Sequence, residues 1–207
     1  MNNYPIRLFP ANAQVLKYLC LFIFFCANAM ANEEAKYTVV QQNDVYEIRH
    51  YENRLVAQVS YSGENSGFRT LFNYISGDNT AQQDIAMTVP VTQSVKIDMT
   101  TPVTQIDAGS TKIMQFYMPS QFTEDTVPQP TNPAVEIRTV KGGHFAVIRY
   151  SGRASDGNFN KHAAILETAL NKDGLAFSTP PIKATYNSPF TLPFMRRNEA
   201  MFRVEWE

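Results

Sequence analysis

The sequence predicts an α+β fold built from two β-β-α-β-β halves around a quasi-two-fold axis, with two helices flanking the resulting sheet or barrel. Three observations predict it. Short runs rich in β-branched and aromatic residues dominate the chain. Two apolar stripes of helical period interrupt them. And YEIRHYENRLVAQVSYSG (residues 46–63) aligns without gaps on VEIRTVKGGHFAVIRYSG (135–152), sharing Glu, Ile, Arg, Ala, Tyr, Ser and Gly. The copies stand about 89 residues apart, and two copies indicate a duplication rather than a solenoid. The pseudo-repeats cover about 37–118 and 134–207.

The first 31 residues are set apart from this frame. Arg7 and Lys17 precede the apolar run YLCLFIFFCA, which ends in ANAMA. That is the pattern of a secretory signal peptide, with cleavage expected after Ala31. The run is short of the roughly 20 apolar residues that span a bilayer, so no stable membrane span is expected after cleavage. Removing 31 of 207 residues leaves 176, enough for one domain with a substantial core. Both cysteines, Cys20 and Cys26, go with the leader. A cysteine nucleophile, a disulfide framework and a Cys-based metal site are then excluded, and the expected location is the periplasm or the exterior. With 16 bases against 19 acids remaining, the mature charge is about −3 and no basic block offers a nucleic-acid footprint.

The elements follow in order. YTVV (37–40), VYEIRHY (45–51) and RLVAQVSY (54–61) read as strands, with Glu52-Asn53 as a tight hairpin turn between the last two. Phe68, Leu71, Phe72 and Ile75 then recur at i, i+3, i+4 and i+7, the stripe of an amphipathic helix that Gly77 is placed to stop. The phrase IAMTVPVTQ (85–93) is followed by its echo IDMTTPVTQ (97–105). Alternation puts Ile97, Met99 and Val103 on one face, and Pro90 and Pro102, which lack a donor, belong at edges or bulges. KIMQFYM (112–118) is a further strand, and a loop with Pro119, Pro128, Pro130 and Pro133 closes the first half. The second half repeats the plan, with a helix through Phe159, Ala163, Leu166 and Leu170 stopped at Asp173-Gly174. Strands follow at 182–187 and 201–206.

Several of these stretches together resemble the SOUL/haem-binding protein family, across essentially the whole mature chain. They are YEIR, IAMTVPV, MQFYMPSQF, FAVIRYSG, KHAAILETAL and SPFTLPFMRRNEAMFRVE. The resemblance implies a distorted antiparallel β-barrel or sheet with two flanking helices, related to the effector-binding domains of some transcriptional regulators. It further implies non-covalent binding of haem or another tetrapyrrole, without a common catalytic reaction.

The family's proposed cleft lies between the first helix and the loop before RRNE. Carried onto this sequence, it draws on Phe68, Arg69, Leu71, Phe72 and Ile75, and on Phe190, Leu192, Phe194, Met195, Arg196 and Arg197. Aromatic and Met side chains suit a flat, polarisable macrocycle. Packing of the helix onto the sheet is the competing explanation for Phe68, Leu71, Phe72 and Ile75. Relatives carry basic residues beside the cleft where this sequence has Asn65, Asn73 and Leu192, so Arg69, Arg196 and Arg197 are the substitutes for pairing with propionates. His50, His144 and His162 are weak candidates for an axial ligand to iron.

Catalysis has little support in the sequence. Glu47 and Glu136 are equivalent acids in the two halves, and salt bridges with Arg49 and Arg138 explain them. There is no G-x-S-x-G, no phosphate loop and no metal-spaced His cluster. The expectation is an exported, monomeric protein that carries or buffers haem, with a small hydrophobic planar ligand as its partner. The alternative is an enzyme or sequestering protein acting on another amphipathic small molecule, and a third possibility is an envelope interaction module.

Overall fold

A computed structural model describes residues 32–62, 66–80 and 94–207. The leader expected at 1–31, Asn65 and the first copy of the doubled phrase lie outside the described residues.

Eleven strands and two helices are present among the described residues. In chain order they are β1 (Thr38–Gln42), β2 (Glu47–Tyr51), β3 (Arg54–Tyr61), α1 (Ser66–Ser76), β4 (Asn79–Thr80), β5 (Val103–Asp107) and β6 (Lys112–Tyr117). There follow β7 (Gln129–Pro130), β8 (Val135–Val140), β9 (Gly143–Tyr150), α2 (Asp156–Asp173), β10 (Phe177–Thr185) and β11 (Asn198–Val204). Nine strands form one antiparallel sheet in the order β1-β2-β9-β11-β10-β5-β6-β3-β8, while β4 and β7 pair separately. The sheet has free edges at β1 and β8, so it is an open sheet and not a closed barrel.

The expected hairpin at Glu52-Asn53 is not there. β2 pairs with β1 and β9, whereas β3 pairs with β6 and β8. Each strand of the expected hairpin has one partner in its own half and takes the other, β9 for β2 and β8 for β3, from the other half of the chain. The register is shared as well: Glu47 opposes Val147, and the aligned residue Glu136 opposes Gln58, the residue aligned with Val147. Exchanging β2 with β8, β9 with β3, β11 with β6 and β10 with β5 turns the strand order from β2 to β8 into its own reverse. The strand order from β2 to β8 is thus palindromic about the β10–β5 pair.

This exchange forces the sheet to curl. β2 and β3 stand six strand spacings apart in the sheet order, roughly 29 Å if it were flat. Yet the chain crosses from Tyr51 to Arg54 in three residue steps, about 11 Å at full extension. The two ends must come together, and side chains meet across the gap. The Arg54 guanidinium lies 4.3 Å from the Tyr51 ring and 4.6 Å from the Tyr117 ring. The two linkers also cross each other, with the Gly142 N–H donating to Asn53 Oδ1 at 2.8 Å.

Both faces of the curled sheet are buried. One face carries α1 over Ala57, Val59, Met114 and Phe116, and α2 over Ile48, Ala146, Ile148 and Phe202. Leu71 of α1 and Leu166 and Leu170 of α2 are fully buried there, each burial being worth about 1.5–3 kcal/mol. α2 begins where the Ser155 hydroxyl accepts from the Asn158 N–H, and it ends where Gly174 adopts φ 70°. The opposite face encloses Tyr51, Phe145, Val147 and Met201. It also encloses a polar chain in which Gln115 donates to Gln58 at 2.7 Å.

Candidate functional site

The alternation in the second copy of the doubled phrase has a structural use. Met99, Thr101, Val103 and Gln105, every second residue, line a cavity of about 510 Å³ over the central strands. That volume lies within the range of pockets that bury drug-sized ligands. Met114 of β6 and Lys183 and Thr185 of β10 complete the floor. Phe68, near the start of α1, forms one wall, and Ala154, just before α2, lies on another side. Asn32 and the loop 186–190, from Tyr186 to Phe190, form the rest. The cavity thus sits over the central β10–β5 pair, between the N-terminal ends of the two helices. Thr101 is fixed from outside by the chain preceding β1: its N–H donates to Glu33 O at 2.8 Å, and its O accepts from the Ala35 N–H at 3.0 Å.

The residues expected from the sequence divide into three groups. Phe68 and Phe190 meet at the cavity. Phe68 stacks on Phe72 (5.9 Å, 16°) and points its ring edge-on to Phe116. Leu71 and Ile75 lie on the other side of the helix stripe, in the core beneath α1. Leu192 and Arg196, again with Phe190, border a neighbouring shallow depression with Arg153 and Ser155. The loop is strongly exposed, Phe190 at 95% and Phe194 at 74%, with Leu192 and Met195 also open to solvent. A short 3-10 turn, Pro193–Met195, presents the last two aromatic and Met side chains.

The arginines have structural duties. Arg196 donates to Thr191 O at 2.7 Å and to Pro189 O, which holds the loop in shape. Arg197 pairs with Glu34 at 2.8 Å and with Glu199 at 2.9 Å, and its guanidinium covers the Tyr186 ring at 3.8 Å. Arg69 is exposed on α1, as is Asn73.

Behind the cavity wall lies a charged cluster that sequence reasoning did not find. Glu199, with no exposed surface, receives Arg49 at 3.0 Å, Arg197 at 2.9 Å and the Tyr186 hydroxyl at 2.6 Å. Burial and the Glu199 carboxylate push the Tyr186 hydroxyl well above the usual phenol range, so it stays a donor. Arg49 also bridges to Glu47 at 2.7 Å, and Arg138 to Glu136 at 4.0 Å, each within its own strand. Glu47 and Glu136 do not face each other.

Lys183 is the buried cation of the cavity lining, at 8% exposure. Its Nζ donates to Asp156 Oδ1 at 2.8 Å, and Lys112 reaches the other oxygen at 3.4 Å. Two ammonium groups thus share one carboxylate. The hydrogen bond from Lys183, then its charge, holds the Asp156 carboxyl below its ordinary value of 3.8. A depressed carboxyl stabilises the fold above its unfolded pKa, and that contribution disappears as pH falls through the lower folded value. Asp156→Asn is therefore expected to lower the urea midpoint near neutrality and to flatten its fall below pH about 3.8, checked by urea melts across the acid range.

None of the three histidines lines the cavity among the described residues. His162 Nδ1 lies 2.8 Å from Asn158 O and its ring stacks on Tyr150 at 4.1 Å. Among the described residues no group of three or more His, Cys, Asp or Glu is placed to hold a metal, and no helix is long and apolar enough to cross a membrane.

Fold and cavity together define a domain of two helices on one face of a curled antiparallel sheet, with a cavity between the helix starts. The family model for SOUL heme-binding protein matches residues 32–203, and the chain belongs to that family. Heme-binding protein 2 of mouse is 27% identical over 183 residues, covering 85% of each chain. Its human counterpart is 29% identical over 77% of this chain and 78% of its own. Among solved structures, one described as a hydrolase from Listeria innocua matches with TM-score 0.52 at 12% identity, covering 80% of this chain and 94% of that one. The EcmrR C-terminal domain matches with TM-score 0.52 at 10% identity, over 82% and 98% of the two chains. At such identities the two structures speak for the fold alone.

Proposed function

We propose that the protein binds haem or another tetrapyrrole non-covalently in the cavity between the helices, as a binding protein and not a catalyst. The observation that carries this reading is the lining itself: Phe68, Met99, Val103, Met114 and Phe190 on one cavity of about 510 Å³. Planar apolar ligands are recognised by such aromatic and thioether surfaces. The exposed apolar loop points the same way, because a bound macrocycle would give Phe190 a partner that it lacks. Lys183 stands where it can meet an acidic edge of the ligand. The kinship with heme-binding proteins supports the choice of ligand. Export after cleavage near Ala31, a monomeric state and a role in carrying or buffering haem belong to the same proposal.

With no histidine on the lining, affinity comes from apolar contact in this reading, not from an imidazole–iron bond. Haem added to the purified protein is expected to shift the Soret band with saturation. Iron-free protoporphyrin IX is expected to bind within a few-fold as tightly. Phe68→Ala and Phe190→Ala should each weaken binding roughly tenfold, about 1.4 kcal/mol for a lost aromatic contact. No spectral change with either porphyrin at micromolar concentration would sink the proposal.

A further inference from the structure

His50 and His144 lie away from the cavity lining, and the function proposed above makes no use of them. They are direct partners in the antiparallel register of β2 and β9, which puts both side chains on one face of the sheet. Their ring centroids are 4.8 Å apart, with the planes tilted by 53°. The outer neighbour of His50 in β1 is the small, exposed Thr38, and the His50 side chain is itself 38% exposed. Neither ring hydrogen-bonds to another described residue, in contrast to His162. The carboxylate of the solvent-exposed Glu52 is 3.9 Å from His50 Nδ1, and the Arg203 guanidinium is held nearby on Lys141 O and Gly142 O.

The spacing has a chemical meaning. Imidazole nitrogen binds Zn²⁺ and similar ions at about 2.0–2.1 Å. The ring centre lies about 1.2 Å further out. Two imidazoles on one ion therefore hold their centroids roughly 4.5 Å apart at a right angle and roughly 5.2 Å apart at the tetrahedral angle. The observed 4.8 Å falls between these limits. Directly opposed residues have their Cα atoms about 4.5–5.5 Å apart by backbone geometry alone. The strand register thus sets the spacing of the two rings.

We propose that His50 and His144 form a surface site for a divalent transition-metal ion, each giving one ring nitrogen, with water completing the coordination. Two protein ligands make an exchangeable site and not a closed structural centre, which takes four. An imidazole pair selects Zn²⁺, Ni²⁺ and Cu²⁺, with Cu²⁺ the tightest, over Mg²⁺ and Ca²⁺, which take oxygen donors. Glu52 adds negative charge beside the pair, 3.9 Å from His50 Nδ1, which favours a bound cation. The site is independent of the porphyrin reading, since it shares no residue with the cavity.

Calorimetric titration of the full chain, freed of metal by chelation, tests the site with ZnCl₂, CuCl₂ and MgCl₂. One Zn²⁺ per chain is expected at a dissociation constant on the order of micromolar, Cu²⁺ tighter, and no heat from Mg²⁺. His50→Gln and His144→Gln should each weaken Zn²⁺ at least about tenfold, while His162→Gln leaves it unchanged. Absence of saturable binding, or equal binding by both variants and the unaltered protein, overturns the site. Electron paramagnetic resonance of the Cu²⁺-loaded protein gives a reading that needs no variant. Two coordinated nitrogens support the pair, and one or none overturns it.

Discussion

Gly142→Ala is expected to destabilise the protein by about 3 kcal/mol, the upper end of what overpacking costs. A Cβ at this position would lie 2.3 Å from Tyr51 O, 2.6 Å from the Glu52 carbonyl carbon and 2.9 Å from the Asn53 N. All three are backbone atoms at the end of β2 and in the linker after it, so no side chain can swing away. The clash falls where the two linkers cross, the point that lets each half take its strand partner from the other. Differential scanning calorimetry should show a fall in Tm of roughly 6–12 °C for a domain of this size. Gly157→Ala is the control, because nothing lies within 4 Å of a Cβ there, and it should leave Tm unchanged or slightly raised. Equal melting of the two variants would contradict the crossing as a tight contact.

Arg49→Met is expected to cost about 3–5 kcal/mol, the usual result of stranding one member of a buried pair. Glu199 has no exposed surface, and Arg49 supplies one of its two guanidinium partners. Arg197 and Tyr186 remain beside it, but the lone pairs that face Arg49 lose their donor. Urea unfolding measures the cost from the midpoint and slope. The double variant Arg49→Met/Glu199→Leu should recover part of the loss, since no carboxylate is then stranded and Arg197 keeps Glu34, while the Tyr186 hydroxyl loses its acceptor. Additive losses would show that the two residues act separately.

Much of this molecule was legible residue by residue. The strands at 54–61 and 112–117 and the stop of α1 at Gly77 follow from local composition and period. The stripe Phe68, Leu71, Phe72, Ile75 marked a helix but not which members it buries. Leu71 and Ile75 face the core, while Phe68 and Phe72 remain open to solvent. Alternation marked one face of the second MTxPV copy, but nothing local said that this face looks into a cavity. Lys183, set between Ile182 and Ala184, carried no signal at all. Its role depends on a strand partner, a helix start and a loop that are far apart in sequence.

The failed hairpin shows where the boundary lies. Two strands separated by Glu52-Asn53 have the local chemistry of a tight turn, and sequence alone cannot say that a better partner lies in the other half of the chain. The gapless alignment of residues 46–63 on 135–152 determined that the halves share a plan, together with the element types and their order. Only the tertiary structure decided that the halves exchange strands, that the sheet curls without closing, and that Glu199 draws Arg49 and Arg197 together. The reason is physical. Period and propensity act over a few residues, whereas strand pairing and buried charge are settled by competition among segments that meet only when the chain is folded.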